Sequence, residues 1–254
     1  MLTGSAYMRE PWGVSSIYSI TDPAYRGVRF IPHDRLVLLV RTALQENLQF
    51  TAHAVGDGAV HGLLEAYDEV ERTMPLGTGL ACISHSNFMS REAVEMAARL
   101  GVMLDVQPVW LYLDSHTLAK QFGLARLRYF QPLRSLFEAG VTAGGGSDHM
   151  QKIGSMRSVN PYNPFLGLAT AVTRKARRLA DPMHSEESLS RIQAIRFYTI
   201  NNARVLRCER DLGSLEAGKL ADMIVVDTDL LQCPEDRIAS TRVLQTYVGG
   251  RRVH

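Results

Sequence analysis

The sequence predicts an α/β fold in which a parallel β-sheet alternates with helices, with a smaller β element at the C-terminal end. Short apolar runs alternate with segments of helical periodicity in four successive βα-type units over residues 34–145. A chain of 254 residues can also bury a sizeable core. After residue 207 the pattern becomes rich in turns, with strand-like runs.

Residues 1–33 lack clear periodicity and carry several prolines and glycines, so we expect a long loop there. A loop of this length is uncommon inside a domain unless it serves an active site or unless preceding sequence is missing. A helix is predicted to begin at Asp34, directly after Pro32 and His33.

The four predicted strands are short apolar runs, and most are followed by an amphipathic segment. Ser90 is a candidate N-cap for one helix, which Gly101 ends. Units of this kind give a parallel sheet with right-handed crossovers. The predicted elements are strands at 49–53, 80–85, 102–109 and 141–145, a loop with a short helix over 110–130, and a helix over 133–139.

The C-terminal part is predicted to begin with a single helix over Ser188–Leu206. Strand-like runs follow at 223–227 and 243–248. Gly249-Gly250 then makes a hairpin turn into the last four residues.

Composition excludes several classes of protein. A formal net charge of +2 gives no broad attraction to nucleic acid or to an anionic membrane. The basic cluster Arg174–Arg178 is predicted to be a solvated helix end. No run of 18 apolar residues and no signal-peptide pattern is present, so we expect no membrane span and a cytoplasmic location. The expected partner is a small-molecule substrate.

The three cysteines are Cys82, Cys208 and Cys233, which are widely spaced and form no CxxC pair. A disulfide framework or a thiolate zinc site is therefore not expected. Cys82 lies inside an apolar run and is predicted to be a small core residue rather than a nucleophile.

Three polar residues, His53, His85 and Asp148, stand at or just beyond the C-terminal ends of predicted strands. His85 follows His53 by 32 residues, which fits adjacent strands, and Asp148 follows His85 by 63, which fits two strands further on. Catalytic groups of barrel enzymes lie at these strand ends. Two imidazoles and a carboxylate could hold a divalent metal, most simply Zn²⁺, and activate a water.

Each of these residues also has a simpler interpretation. A single histidine at a strand end is usually a hydrogen-bonded polar residue, and Asp57 could orient an imidazole or cap the next helix. The glycines before Asp148 could admit a ligand, or their N–H groups could form an anion-binding nest. No GxGxxG pattern is present, so a dinucleotide site is disfavoured. His149, Trp110 and Tyr162 could contact substrate, although packing is the simpler role for the aromatic rings.

Six stretches of the chain carry a recognisable pattern: 50–59, 83–86, 145–148, 160–168, 198–203 and 213–227. Together they resemble the amidohydrolase superfamily, specifically the branch called amidohydrolase family 3 or YtcJ-like. The resemblance covers nearly the whole chain. It implies a (β/α)₈ TIM-type barrel with a β-sandwich beside it, His53, His85 and Asp148 as metal ligands, and Asp148 as proton acceptor.

One feature of that family is missing. Its enzymes carry an H-x-H ligand pair after the first barrel strand, and none of the eight histidines here forms one. The resemblance therefore implies the C-terminal half, with residues 1–207 forming barrel strands 5–8 and residues 208–254 forming part of the sandwich. We expect a truncated metal-dependent amidohydrolase for a non-peptide C–N bond, with weak metal binding and little turnover alone. Its exposed half-barrel surface would favour pairing or homo-oligomers. The alternative is a non-catalytic binding or regulatory protein that keeps the fold.

Overall fold

A four-stranded parallel sheet forms the centre of the computed structural model, which describes residues 3–149 and 160–254. The strands are β1 (Phe50–Ala54), β2 (Ala81–His85), β3 (Met103–Val106) and β4 (Ala143–Gly145), paired in chain order. The predicted parallel α/β sheet is confirmed. The spacing argument is also confirmed, because β1 and β2 are neighbours and β4 lies two strands beyond β2.

Helices pack against this sheet and bury a continuous apolar core. Ile83 and Leu104, from the two central strands, are fully buried in it. Ser90 caps its helix, since its Oγ accepts a hydrogen bond from the Ala93 N–H, and Gly101 ends that helix with a φ of 64°. The helices are α1 (His33–Gln45), α2 (Asp57–Glu71), α3 (Arg91–Leu100), α4 (Pro108–Arg126), α5 (Leu133–Glu138), α6 (Pro164–Thr173), α7 (Arg191–Tyr198), α8 (Ile200–Val205) and α9 (Glu235–Ile238), with a 3₁₀ turn at Ser185–Glu187.

Two helix predictions are wrong. Residues 110–130 were expected to be a loop with a short helix, but α4 starts at Pro108 and runs 19 residues, with a kink at Gly123. Its apolar residues lie on several sides, so helical periodicity is weak. The single helix expected over Ser188–Leu206 is two helices. α7 starts with a capping box at Ser190, and Thr199, at non-helical φ −126° and ψ −97°, separates α7 from α8.

The prediction of a solvated helix end for the basic cluster Arg174–Arg178 is wrong at its first residue. Lys175 and its neighbours Arg177 and Arg178 are exposed, but Arg174 is fully buried. Its guanidinium donates to the carbonyl oxygens of Phe130, Gln131 and Met183 at 2.7–3.0 Å. Burial lowers the pKa of Arg174 to about 10, so the side chain stays charged at neutral pH.

The predicted N-terminal loop is confirmed over residues 3–32, which contain no helix or ladder strand and one isolated bridge. Its two arms run side by side through backbone hydrogen bonds, such as Val28 N–H to Ser5 O at 2.9 Å. Trp12 is buried and donates its Nε1–H to Ala6 O at 2.8 Å. This loop therefore has a defined shape despite its lack of regular structure.

A separate antiparallel sheet follows at the C-terminal end: β5 (Met223–Val226), β6 (Val243–Val248) and β7 (Arg251–Arg252). The predicted Gly249-Gly250 hairpin turn is confirmed. Within the described residues, no helix combines the length and apolarity that a membrane crossing requires.

Candidate metal centre

The ends of β1 and β2 place two histidines next to each other. His53 pairs in register with Ser84, and His85 pairs with Ala54. Both histidines therefore lie at the carboxyl end of the parallel sheet. Their ring centroids are 4.4 Å apart and the planes meet at 73°. The structure therefore brings together the two histidines that the sequence singles out.

The His53 ring is suited to ligation because its neutral form is favoured. Burial lowers its pKa most, and the neighbouring His85 lowers it further, while Asp148 acts in the opposite direction. A metal takes the lone pair of a neutral imidazole, so a depressed pKa keeps that lone pair available at neutral pH.

Asp148 faces the same cavity but is held by a different partner. Trp110 donates its Nε1–H to Asp148 Oδ2 at 2.9 Å. Among residues 3–149 and 160–254, no group of three His, Cys, Asp or Glu side chains is close enough together to hold a metal ion. The donor types fit a divalent cation, with two imidazoles already adjacent and a carboxylate on the same cavity wall.

The backbone around these residues is unusual. His85, Ser86 and Asp148 have φ values of 79°, 48° and 51°, in the left-handed region that non-glycine residues rarely occupy. Such conformations concentrate at functional sites, where the surrounding structure maintains them.

A cavity of about 330 Å³ lies over this edge of the sheet. The N-terminal loop forms one wall, and the described lining residues include His53, His85, Asn87, Trp110, Asp114 and Asp148. A volume of this size suits a small-molecule ligand. The long loop thus serves the cavity, one of the two explanations that its length suggested.

Of the three predicted substrate contacts, only Trp110 lines this cavity among the described residues. His149 is exposed, and its Nδ1 is 2.9 Å from Asn160 O, so this nitrogen donates to the carbonyl. Its ring packs 5.3 Å from Tyr162, which is 75% exposed. The structure therefore places this pair outside the described cavity wall.

The sequence left two roles open for Asp57, which could orient an imidazole or cap the next helix. Asp57 lies in the first turn of α2 but does not cap it, because Gly56 is the N-cap, and Asp57 Oδ1 accepts from Arg9 N at 2.9 Å. His61 is buried, with its Nε2 2.8 Å from Ser90 Oγ, and does not line the cavity.

The glycines of β4 leave space for helices rather than for a ligand. A Cβ atom on Gly144 would collide with Asn202, and one on Gly145 would collide with Phe197. Both partners belong to α7 and α8, which pack closely on the strand. Gly146, at the end of the strand, has more room.

Sequence reasoning missed Gln107, which the structure places beside the candidate centre. Its Oε1 is 2.7 Å from His85 Nδ1, and the side chain is almost fully buried. Asp105, Asn87 and Asp114 also lie near or on the cavity. No signal in the sequence pointed to Gln107, because the strand predicted at 102–109 included it, whereas β3 ends at Val106 and Gln107 is the N-cap of α4.

The sheet brings two histidines and a carboxylate to its carboxyl end, and these donor types can hold a divalent cation. Comparisons with known proteins identify the family. A family profile described as "Amidohydrolase family" matches residues 2–254, so the chain belongs to that family.

Individual proteins show the same relationship. YtcJ of Bacillus subtilis strain 168 is 26% identical over 252 residues, covering 98% of this chain and 44% of that protein. An N-substituted formamide deformylase of Arthrobacter pascens is 28% identical over 226 residues, covering 88% and 40%. An uncharacterized metal-dependent hydrolase of Pyrococcus horikoshii has a similar fold, with a TM-score of 0.73, 23% identity, and coverage of 92% and 43%. The chain thus spans less than half the length of each of these three proteins.

Proposed function

We propose that this chain carries one side of a metal-dependent hydrolase site for a non-peptide carbon–nitrogen bond, such as an amide or N-acyl bond. The observation that carries the proposal is the adjacency of the His53 and His85 rings at the mouth of a cavity. Family membership and the deformylase relative support the class of bond.

In this proposal His53, His85 and Asp148 hold the cation, most simply Zn²⁺, and the chain's other groups orient the reactants. A bound divalent cation supplies Lewis acidity, which polarises a carbonyl and promotes deprotonation of water. Asp148 would accept a proton from the attacking water through Oδ1, because Oδ2 already accepts from Trp110, as the new carbon–oxygen bond forms. It would then pass that proton to the nitrogen that leaves as the carbon–nitrogen bond breaks. The N-terminal loop lines the cavity beside these groups.

We also propose that the sheet is half of a (β/α)₈ barrel, with residues 1–207 as the barrel part and 208–254 as part of the flanking sandwich. Among the described strands, β1 pairs only with β2 and β4 pairs only with β3, so both outer edges can accept another strand. Pairing through these edges predicts a concentration-dependent dimer or larger assembly. Light scattering tests this, and a monomer at every concentration contradicts the pairing.

The absence of H-x-H from the sequence leads us to propose weak metal binding and low turnover by this chain alone. Zinc titration of the purified chain should detect binding that His53→Ala removes. His33→Ala is the matched control, because His33 pairs with Glu69 on α2 away from the cavity, and it should leave binding unchanged. One tightly held zinc per chain together with robust hydrolysis would contradict the proposal of a partial site.

The second candidate is a non-catalytic binding or regulatory protein with the same fold. It is favoured by the lack of a three-ligand group within the described residues and by the Trp110–Asp148 hydrogen bond. The zinc titration separates the two candidates. No zinc binding, together with ligand binding that His53→Ala leaves intact, favours this second function.

A further inference from the structure

Gln107 is a buried polar residue in contact with the candidate centre, and the proposed function leaves it unused. It follows β3, is 3% exposed, and its Oε1 lies 2.7 Å from His85 Nδ1. The two ends of its side-chain amide have different neighbours, which determines the direction of each hydrogen bond.

The amide nitrogen of Gln107 faces two acceptors. Nε2 lies 3.0 Å from the main-chain O of Asp105 and 3.1 Å from its Oδ1. The main-chain oxygen can only accept, so the nitrogen has to be on this side and Oε1 has to face His85. Oε1 can only accept, so His85 Nδ1 carries the hydrogen. In the neutral ring, Nε2 of His85 is then the nitrogen with the lone pair.

Gln107 is itself held by a buried network. Gln131 Nε2 donates to Gln107 O at 2.9 Å, and Gln131 N–H donates to Asn87 O at 2.8 Å. Arg174 donates to Gln131 O at 2.7 Å and to Phe130 O at 3.0 Å. Gln131 and Arg174 are fully buried. The network therefore connects the end of β3 to Asn87, two residues after His85 at the end of β2.

We propose that Gln107 is a positioning residue that fixes the tautomer and the orientation of His85, with Asp105 holding its amide and Gln131 and Arg174 anchoring its backbone. The inference rests on the proposed function, since it takes His85 as a metal ligand. Ligating histidines commonly donate their second ring N–H to an oxygen, which sets the ring orientation and strengthens the ligand.

The test uses the full chain and begins without metal. Ring ¹⁵N spectra at mildly alkaline pH report which nitrogen of His85 is protonated, with the signals assigned by their loss in His85→Gln. The native chain should show hydrogen on Nδ1. Gln107→Leu removes the acceptor at similar size and should shift the ring toward hydrogen on Nε2.

Zinc affinity by chelator competition is the second measurement. Gln107→Leu should weaken binding by about 10- to 100-fold, the usual effect of losing such a partner. Gln121→Leu is the matched control. Gln121 donates to the carbonyls of Trp12 and Val14 in the N-terminal loop, and its loss should alter neither the tautomer nor the affinity.

A second variant keeps the test decisive even where Gln107→Leu fails to fold. Gln107→Met has an unbranched side chain of similar length and replaces the oxygen that faces His85 with a group that is at most a weak acceptor. It should shift the tautomer and weaken zinc binding in the same direction as Gln107→Leu.

The outcomes separate this inference from the proposed function. An Nδ1–H tautomer that depends on Gln107 in a chain without zinc binding supports the positioning role and removes the metal function. Zinc binding that needs His53 but tolerates Gln107→Leu, with an unchanged tautomer, overturns the positioning role alone. Hydrogen on Nε2 of His85 in the native chain, or an unchanged Nδ1–H tautomer in folded Gln107→Met, also overturns it.

Discussion

The two sheets of this chain contain similarly apolar strands but bury them very differently. In β2, Ala81, Cys82 and Ile83 are all buried, whereas Met223, Ile224 and Val225 of β5 are 36–51% exposed. Helices cover the parallel sheet, as βα crossovers require. The antiparallel sheet has no comparable cover among the described residues. An apolar strand is therefore buried by what its connections place over it, and composition alone does not decide this.

The largest expected effect comes from the buried charge that supports the parallel part. Arg174→Met leaves three buried carbonyl oxygens without their donor and should lower the free energy of unfolding by roughly 3–5 kcal/mol. Denaturant titration measures this. Lys175→Met, at the next and exposed position, should change it by less than about 0.5 kcal/mol. Equal effects would mean that Arg174 is solvated in solution.

A pair of leucine truncations tests the difference between the sheets directly. Leu104→Ala, in the centre of β3, should cost about 2–5 kcal/mol because a fully buried side chain leaves a cavity. Leu244→Ala in β6 should cost less than about 1 kcal/mol, since that side chain is 49% exposed. A large loss from Leu244→Ala would indicate that another surface covers the C-terminal sheet.

Acid sensitivity should also differ between the two parts. Burial raises the pKa of Glu187, but hydrogen bonds from Ser135 and Arg128 outweigh it and hold the pKa below its ordinary value of 4.5. Glu187 therefore binds a proton more readily in the unfolded chain than in the folded chain. Its stabilisation is complete above the unfolded pKa of 4.5 and is lost as the pH falls through the lower, folded pKa. Glu187→Gln should cost roughly 1.5–3 kcal/mol at neutral pH and progressively less in acid.

The counterpart in the C-terminal sheet is Asp227, whose pKa is lowered by hydrogen bonds from the Arg242 main chain and side chain. It is exposed, so Asp227→Asn should produce a smaller acid-dependent difference of the same sign. Unfolding curves recorded at a series of pH values give both results. A pH-independent cost for Glu187→Gln would show that Glu187 is not ionised in the folded chain.

The smallest effect concerns the cysteines. Burial raises the pKa of Cys82 from 9.0 to about 11, which lowers its thiolate fraction about 100-fold. Cys82 should therefore react with a thiol reagent only after unfolding, whereas the half-buried Cys208 and Cys233 should react in the folded chain. Peptide mass spectrometry identifies the modified residues. Rapid labelling of Cys82 would show that the parallel sheet opens readily.

Much of the parallel sheet could be predicted from sequence because its strand signals are local. The runs ending near His53 and His85 are short, apolar and followed by clear helices. Helix α4 was missed because its buried residues lie on several faces and give no clean period. The prediction for Arg174 is wrong because it follows the solvated neighbours, whereas Arg174 is the C-cap of α6, with a left-handed φ of 56°, and is fully buried.

In the candidate site, too, the features set by local sequence could be predicted, and those set by packing between distant residues could not. Residue types and strand spacing predicted that His53 and His85 would meet, and they do. The contact of Trp110 with Asp148 and the role of Gln107 depend on how a helix and a loop pack over the sheet. Those contacts join residues 22 to 38 positions apart, and no local pattern records them.

The left-handed backbone at His85 and Ser86 has one more consequence. Conformations of this kind cost of order 1–3 kcal/mol each and persist only where the surrounding structure holds them. The ring is thus preorganised before anything binds, so an incoming ion or substrate loses less affinity to ordering it. Ser86→Gly should relieve this strain and so raise the free energy of unfolding, but it should also orient the His85 imidazole less precisely. The stability of this chain and the precision of its site are therefore inversely linked.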